Sequence, residues 1–231
     1  NVIRISNPLI VIDEGHRTKT DLSIQFLKDL NPCFIIEYTA TPRKESNVLV
    51  KTSSVELKEE KMVKIPIVLE SVSQWQQAVT RGILKRKELS DIAKKEKGEY
   101  IRPIALLQAQ QEKESDKTTV VTVQHIKDFL MKEHKIPDEE IAIKTSSQNQ
   151  LEGVDLFSKK CPINYIITVN ALAEGWDCSF AYILISVANI GSKISVEQII
   201  GRIVRLPNAK EKKNPEQDET LIEVKQNNKQ S

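Results

Sequence analysis

The sequence predicts an α/β fold in which parallel sheets are flanked by helices. Short, continuous apolar runs alternate with segments of helical periodicity along the 231 residues, as expected of parallel strands buried on both faces. Polar clusters directly follow several of these runs, at the carboxyl ends where ligands bind in open parallel sheets. The composition, 39% hydrophobic and 29% charged, is that of an ordinary globular protein.

The first series of elements is a strand, a helix and a second strand. Residues 9–12 form a continuous apolar run, and residues 34–38 form another. Between them, Thr20 or Asp21 can cap a helix that ends at Asn31, before a proline. A crossover of roughly 20 residues favours parallel pairing of the two strands, with the helix on one face.

Residues 46–99 differ in character and are predicted to form a connector. Residues 48–50 and 65–69 favour short strands, and residues 74–97 favour a long helix with a charged, solvated outer face. The basic tract of this helix, residues 85–87, either contacts phosphates or is simply solvated. The second interpretation is favoured, because charged helix faces are usually solvated.

A second alternation of strands and helices begins at residue 100. The predicted strands, which are separated by helices and polar loops, are residues 104–107, 141–143, 165–169 and 182–185. Apolar residues at helical spacing predict one helix around residues 126–130 and another over residues 195–205. Residues 210–231 are rich in Lys, Glu, Asn and Gln, and we expect a weakly ordered polar tail.

The charge balance excludes a globally basic surface. Lys and Arg number 34 and Asp and Glu number 32, a formal net charge of +2, so any surface that binds nucleic acid must be local. No apolar run reaches the roughly 18 residues that a membrane span needs, and the first residues do not resemble a signal peptide. Because the chain starts with Asn1 rather than Met, we expect a piece of a longer protein.

The three cysteines, Cys33, Cys161 and Cys178, are far apart and form no C-x-x-C pair. This spacing gives little support to a disulfide scaffold or a zinc ribbon. Because each cysteine lies in or beside an apolar stretch, we expect buried thiols in a reducing cytosol, and therefore a cytoplasmic protein.

An acidic cluster follows the first predicted strand. Asp13 and Glu14 leave this strand together and precede Gly15 and His16; adjacent carboxylates are costly there unless a cation or water satisfies them. Asp13 can hold Mg²⁺, which favours one or two carboxylates with waters and phosphate oxygens, while Glu14 orients and deprotonates a water. An equally weighted alternative is that the two acids cap the first turn of a helix.

A hydroxyl cluster follows the second predicted strand, where Thr39 and Thr41 precede Pro42. The two hydroxyls can connect a phosphate-binding site to a binding partner that moves relative to it. Taken in isolation, a simple turn is the favoured interpretation, since Thr and Pro are common in turns.

The helix predicted over residues 195–205 has two different faces. Its apolar stripe consists of Val196, Ile199, Ile200, Ile203 and Val204. Gln198, Arg202 and Arg205 form the opposite stripe, and two arginines on one face favour an anion as partner. Gly201 costs roughly 1 kcal/mol within a helix, which indicates close approach by another group. The alternative is a surface pair of arginines, with Gln198 in a capping box.

A tight turn is predicted over residues 171–177, directly after the strand that contains Thr168. Gly175 permits the turn, and Asp177 can accept a hydrogen bond from a ribose hydroxyl. Trp176 is more simply interpreted as a core residue.

Taken together and in this order, the four segments resemble the superfamily 2 helicase and translocase motor. The matching segments are residues 13–16 for motif II, 39–41 for motif III, 173–177 for motif V and 198–205 for motif VI. Residues 100–110 and 171–180, together with the connector, are similar to the Res subunit of type III restriction–modification enzymes.

This resemblance implies RecA-like lobes that bind ATP and Mg²⁺ in the cleft between them. Residues 1–45 would be the C-terminal part of the first lobe and residues 46–99 the connector. Residues 100–209 would be the complete second lobe, followed by the polar tail. The acidic pair of the first lobe would then face the arginine pair of the second lobe across the triphosphate.

The resemblance also implies a role for each matched residue. Asp13 would hold Mg²⁺, Glu14 would be the general base, and Arg202 and Arg205 would be arginine fingers. The residues that would couple ATP to nucleic acid are His16, Thr39, Thr41 and Thr168. The residues that would lie at the nucleotide are Gln198, Asp177, which meets the ribose, and Gly175, which also borders nucleic acid.

Three features depart from the family pattern. The 231 residues contain neither the phosphate-binding G-x-x-x-x-G-K-[ST] loop nor a recognisable nuclease pattern. Gly15 stands where many relatives have Ala, a difference that we expect to change little.

We therefore expect a fragment of an ATP-dependent DNA translocase or helicase subunit of a type III restriction endonuclease. The intact protein would move on double-stranded DNA and bind a modification (methyltransferase) subunit, whereas the fragment alone would not hydrolyse ATP. The alternatives are a general DEAD/DEAH-like superfamily 2 helicase and a non-catalytic module that binds nucleic acid or a partner protein.

Overall fold

The computed structural model describes residues 2–13, 15, 20–39, 42, 46–60, 62–64, 67–95, 100–110, 120–169, 178–187, 201, 203–206 and 220–225. The chain divides into two compact units, residues 1–52 and residues 53–231. The first unit therefore extends past residue 45, the expected end of the first lobe.

The first unit contains a two-stranded parallel sheet. Its elements are α1 (Val2–Ile5), β1 (Leu9–Asp13), α2 (Asp21–Asp29) and β2 (Phe34–Tyr38). Thr20 caps α2, because its hydroxyl accepts a hydrogen bond from the amide of Ser23 at 3.2 Å. Asn31, just after the helix, has a left-handed φ of 51°, which Asn tolerates better than most residues. The predicted order of strand, helix and strand is confirmed.

The expectation that these two strands are buried on both faces is wrong for the described residues. Leu9 and Val11 of β1 are 56% and 58% exposed, and Phe34 of β2 is 52% exposed. The reason is that the described part of this sheet has only two strands, whereas parallel strands are usually buried within wider sheets that are covered on both faces.

The second unit is built on a six-stranded sheet in which all described neighbours are parallel. Its helices are α3 (Ser54–Glu59), α4 (Trp75–Lys95) and α5 (Val123–Lys132). Its strands are β3 (Ile67–Val72), β4 (Ile104–Gln108), β5 (Ile141–Lys144), β6 (Tyr165–Thr168), β7 (Ala181–Ser186) and β8 (Thr220–Lys225). Across the sheet the strand order is β3-β8-β7-β4-β6-β5. The predicted elements that correspond to β3 to β7, α4 and α5 are confirmed.

Alternate side chains of the sheet pack into two apolar cores. α4 and α5 cover one side, where the core includes Val79, Ile83, Ile126, Leu130, Leu107, Ile167 and Ile185. Loop residues and the segment at residues 203–204 cover the other side, where the core includes Leu106, Ile166, Leu184, Phe180 and Ile203. This two-sided burial explains why most of these strands appear as continuous apolar runs in the sequence.

The predicted connector over residues 46–99 differs from the structure, because β3 and α4 belong to the second unit. β3 is an edge strand that pairs with β8. The apolar stripe of α4 is buried against the sheet and consists of Ala78, Val79, Gly82, Ile83 and Leu89. Residues 48–50, where a short strand is predicted, do not form one.

The prediction of a polar tail over residues 210–231 is wrong for β8. This strand lies inside the sheet, between β3 and β7. Leu221 and Ile222 are 6% and 1% exposed, so these two apolar residues of a polar segment are buried within the sheet.

The three cysteines form no disulfide. Cys178 is buried and Cys161 is half-buried, but Cys33 is exposed, so the expectation of a buried thiol is wrong at that position. Among the described helices, none combines the length and the hydropathy needed to cross a membrane.

Candidate functional site

The carboxyl edge of the first unit carries one residue from each of the first two predicted clusters. Asp13 is the last residue of β1, is exposed, and pairs in register with Tyr38. Thr39 follows β2 directly and is half-buried. Because β1 and β2 are parallel, Asp13 at the end of β1 and Thr39 just after β2 lie at the same edge, where ligands bind in open sheets. Glu14, His16 and Thr41 lie outside the described residues.

Gly15 is buried against Glu37, a residue that none of the sequence motifs includes. A Cβ atom placed on Gly15 would lie 3.1 Å from Oε2 and 3.3 Å from Cβ of Glu37. An alanine here therefore requires the Glu37 side chain to shift by a few tenths of an ångström. That the difference between Gly and Ala changes little stays a prediction. The sequence feature that could have pointed to Glu37 is a single acidic residue within an otherwise apolar strand.

In the second unit, four polar residues end four neighbouring strands and form a row that we name the edge row. Its members, in order across the sheet, are Lys144, Thr168, Gln108 and Ser186. The Ser186 hydroxyl donates a hydrogen bond to Oε1 of Gln108 at 2.8 Å, and both side chains are buried. Only Thr168 is a predicted site residue; the signal for the others is a polar side chain directly after an apolar run.

Thr168 ends β6 and is only 3% exposed. Its carbonyl accepts a hydrogen bond from the amide of Ala109 at 2.7 Å, which fixes the end of the strand against β4. Two related site residues lie outside the described residues: Gly175, expected to border nucleic acid with Thr168, and Asp177, expected to meet the ribose. The role of Thr168 beside nucleic acid stays a prediction.

The helix predicted over residues 195–205, which we name the arginine helix, ends at Ile203; its predicted extension to Arg205 is wrong, because Val204 and Arg205 are not helical and Arg205 pairs with Val63 in an antiparallel bridge. Ile203 is fully buried and Val204 is 7% exposed, whereas Arg205 is exposed. Gly201 is helical and exposed, and apart from its chain neighbours and the backbone of its own helix, no atom of the described residues lies within 4 Å of a Cβ placed on it. The close approach expected at Gly201 is therefore not made by the described part of the chain. Gln198 and Arg202 lie outside the described residues.

The basic tract of α4 has a structural role at its central residue. The Nε atom of Arg86 donates a hydrogen bond to the Tyr165 hydroxyl at 3.1 Å, and Nη1 donates to the carbonyl of Pro103 at 3.3 Å. Lys85 forms an ion pair with Glu88 at 3.2 Å. Burial raises the pKa of Tyr165, and the neighbouring Arg86 partly opposes this shift. Arg86 thus holds α4 to the sheet, a role that neither interpretation of this tract included.

The donor set for a cation is small in the part of the chain that the structure describes. No group of three His, Cys, Asp or Glu side chains that could hold a metal ion is found there. Asp13 supplies one exposed carboxylate at a strand end. This fits Mg²⁺, because that ion is often bound by one or two carboxylates together with waters and phosphate oxygens.

Comparison with known proteins finds a family match within the second unit. Residues 96–207 match the family model described as the helicase conserved C-terminal domain. This match covers just under half of the chain. No curated protein matches the chain.

Two solved structures are similar to the chain over most of its length. The yeast DEAD-box splicing factor Prp28 is 16% identical with a TM-score of 0.42, over 94% of this chain and 45% of its own. The ATP-dependent Type ISP restriction-modification enzyme LlaBIII, solved bound to DNA, is 14% identical with a TM-score of 0.47, over 96% of this chain and 18% of its own. The chain thus spans less than half the length of either protein.

The family match lies within the second unit. The predicted α/β fold of parallel sheets flanked by helices is confirmed.

Proposed function

We propose that this chain is part of an ATP-dependent superfamily 2 motor and that its second unit is the C-terminal motor lobe. The observation that carries the proposal is the match of residues 96–207 to the helicase C-terminal domain. The segments that resemble motifs V and VI lie inside this match, and those that resemble motifs II and III precede it in the order expected of such a motor.

The proposed reaction is ATP hydrolysis, in which the phosphoryl group of the γ-phosphate is transferred to water. Catalysis of this step depends on positioning and on stabilisation of charge. Glu14 would orient and deprotonate the water, and Arg202 and Arg205 would stabilise the charge on the transferred group. Asp13 would hold Mg²⁺, which neutralises phosphate charge when bound.

The remaining site residues would bind the nucleotide or couple it to nucleic acid. The residues that would lie at the nucleotide are Gln198, Gly175 and Asp177. The residues that would couple the state of the nucleotide to the binding of nucleic acid are His16, Thr39, Thr41 and Thr168. The edge row supports the coupling role of Thr168, because it adds the positive charge of Lys144 at the same edge. Contacts to phosphates position nucleic acid without reading its sequence, which suits a motor that moves along it.

The finer proposal is that the intact protein is the motor subunit of a type III restriction endonuclease. Residues 100–110 and 171–180 support it through their similarity to the Res subunit of such enzymes. The intact protein would then move on double-stranded DNA in the cytoplasm, with a modification (methyltransferase) subunit as partner. Its nuclease domain would lie outside the 231 residues.

The test of the proposal is Mg-ATP hydrolysis by the full-length protein with double-stranded DNA, single-stranded DNA or RNA. We expect hydrolysis that double-stranded DNA stimulates most, and DNA cleavage when the modification subunit is added. Stimulation without cleavage would favour a general superfamily 2 helicase. Binding of nucleic acid with no hydrolysis would contradict the motor and favour a non-catalytic binding module.

A further inference from the structure

Lys64 is a fully buried cation in the second unit. Its Nζ atom donates hydrogen bonds to the carbonyl oxygens of Ala181 at 2.6 Å and Ile203 at 2.7 Å. The same atom lies 3.9 Å from the centre of the Tyr182 ring. Burying an ammonium group costs several kcal/mol unless hydrogen bonds and a cation–π contact with an aromatic ring compensate for the lost hydration. These contacts supply that compensation.

The two carbonyl groups belong to different parts of the fold. Ala181 is the first residue of β7, in the middle of the sheet. Ile203 is helical and is followed by the non-helical Val204, so its carbonyl lies where a helix ends. Lysine side chains stabilise such carbonyls both by hydrogen bonding and by complementing the helix dipole. Lys64 therefore ties the end of the arginine helix to the sheet.

The backbone around Lys64 reinforces this attachment. The Lys64 amide donates a hydrogen bond to the carbonyl of Val204 at 2.5 Å, and the Leu206 amide donates to the carbonyl of Met62 at 3.3 Å. Val63 pairs with Arg205 in an antiparallel bridge. The backbone is thus held on both sides of Arg205.

We infer that Lys64 is a positioning residue for Arg205: its ammonium fixes the end of the helix, and its segment fixes the backbone from which the guanidinium extends. The inference rests on the proposed function, in which Arg205 is an arginine finger. Fingers contribute about 10³–10⁵ to the rate of phosphoryl transfer, and a displacement of about 1 Å at a catalytic group costs on the order of 10². A substitution of Lys64 that displaces Arg205 is therefore expected to remove much of the contribution of Arg205 to the rate, although Arg205 itself is unchanged.

The matched control for Lys64 is Arg102, a second buried cation in the same unit. Arg102 is 8% exposed and donates hydrogen bonds to the carbonyl oxygens of Leu156 at 2.6 Å, Ser158 at 3.0 Å and Cys161. Its contacts anchor the loop before β6 rather than the arginine helix. The substitutions K64M and R102M each remove a buried cation from backbone carbonyls, so we expect both to lower thermal stability.

The experiment measures ATP turnover and hydrogen exchange in full-length K64M, R102M and R205A proteins at a temperature where all are folded. We expect kcat of K64M to fall by roughly 10²-fold with little change in ATP affinity, and the Leu206 amide to exchange roughly tenfold faster. R102M should change neither quantity. If K64M does not fold, K64Q, which keeps a shorter hydrogen-bond donor, carries the same test.

Two results would overturn the inference. One is unchanged exchange at Leu206 in the Lys64 variant, and the other is an equal loss of kcat in R102M, which would indicate general destabilisation. Failure of the proposed function has a different signature, because R205A would then turn over ATP like the wild-type protein. In that case the exchange at Leu206 still decides whether Lys64 anchors this segment.

Discussion

Glu14 is the proposed general base, which deprotonates the water that attacks ATP. E14Q keeps the size of the side chain but removes the base, and loss of a general base typically costs about 10²–10⁴ in rate. We expect full-length E14Q to bind Mg-ATP with unchanged affinity and to show almost no steady-state hydrolysis. The control is E59Q, an exposed acid of α3. Turnover of E14Q within about tenfold of the wild-type rate would assign the base elsewhere.

Arg205 is expected to act on the transition state more than on bound ATP. In R205A, kcat should therefore fall by at least about 10³, while the dissociation constant for ATP changes little. Equilibrium binding of a fluorescent ATP analogue and single-turnover hydrolysis measure the two quantities separately. K94A, which removes an exposed cation of α4, is the control. Weakened binding with retained turnover would make Arg205 a ground-state binding residue instead.

His134 gives the second unit a predictable dependence on pH. Its Nε2 atom hydrogen-bonds to the Thr80 hydroxyl at 3.1 Å, and its ring packs against Phe129. Burial, followed by the nearby charge of Lys87, lowers the pKa of His134 below its usual 6.5, while Glu133 acts in the opposite direction. The unfolded chain therefore binds the proton more readily than the folded protein does.

The sign of the effect follows from this difference in proton binding. The contribution of His134 to stability is fully present above pH 6.5 and is lost as pH falls through its folded pKa. We expect the free energy of unfolding, measured with urea, to fall between pH 7 and pH 5, and to fall less in H134Q, which does not titrate. An identical pH dependence in the two proteins would contradict this assignment.

At the scale of an element, the packing of α4 depends on Gly82. A Cβ atom at this position would lie 2.3 Å from Cδ1 and 3.0 Å from Cγ1 of Ile185 in β7. Ile185 is 1% exposed and has little room to move. Overpacking of this kind costs about 1–3 kcal/mol, and the upper part of this range exceeds the roughly 1 kcal/mol that alanine gains over glycine in a helix.

We therefore expect G82A to lower the urea midpoint of the second unit. The control is G201A, since Gly201 is also helical but a Cβ placed there has no atom of another described segment within 4 Å. G201A should leave the midpoint unchanged or raise it. A G82A protein as stable as the wild type would mean that α4 lies farther from β7 than described.

At the scale of the whole molecule, β8 completes the sheet of the second unit. It pairs with β3 on one side and β7 on the other, so its removal leaves two open edges and exposes part of both cores. We expect truncation after residue 219 to abolish cooperative thermal unfolding, followed by circular dichroism. Truncation after residue 225 is the control and should preserve it. Cooperative unfolding of the shorter chain would show that β8 is dispensable.

A strand of this fold could be predicted from the sequence where its residues form a continuous apolar run. Buried parallel strands such as β4 and β7 are continuous apolar runs, so their sequences alone identify them. β8 was missed because Leu221 and Ile222 stand in a polar segment, and strand order depends on long-range pairing that no local pattern encodes.

The site was predictable where the chemistry is local. Asp13 ends β1 and Thr39 directly follows β2, and the parallel pairing of these strands, which places both residues at one edge, is predicted by the sequence. Lys64 and Arg102 were not predictable as buried groups, because Lys and Arg are rarely buried and their partners are distant backbone carbonyls. The buried pair of Gln108 and Ser186 likewise depends on the order of β4 and β7.

The most direct test of the proposed motor is a structure of the full-length protein with DNA, Mg-ADP and a fluoride mimic of the γ-phosphate. We expect the Asp13 carboxylate at the Mg²⁺ hydration shell and the Arg205 guanidinium about 2.8 Å from the mimic. A nucleotide bound in a site that contains neither side chain would contradict the proposed motor.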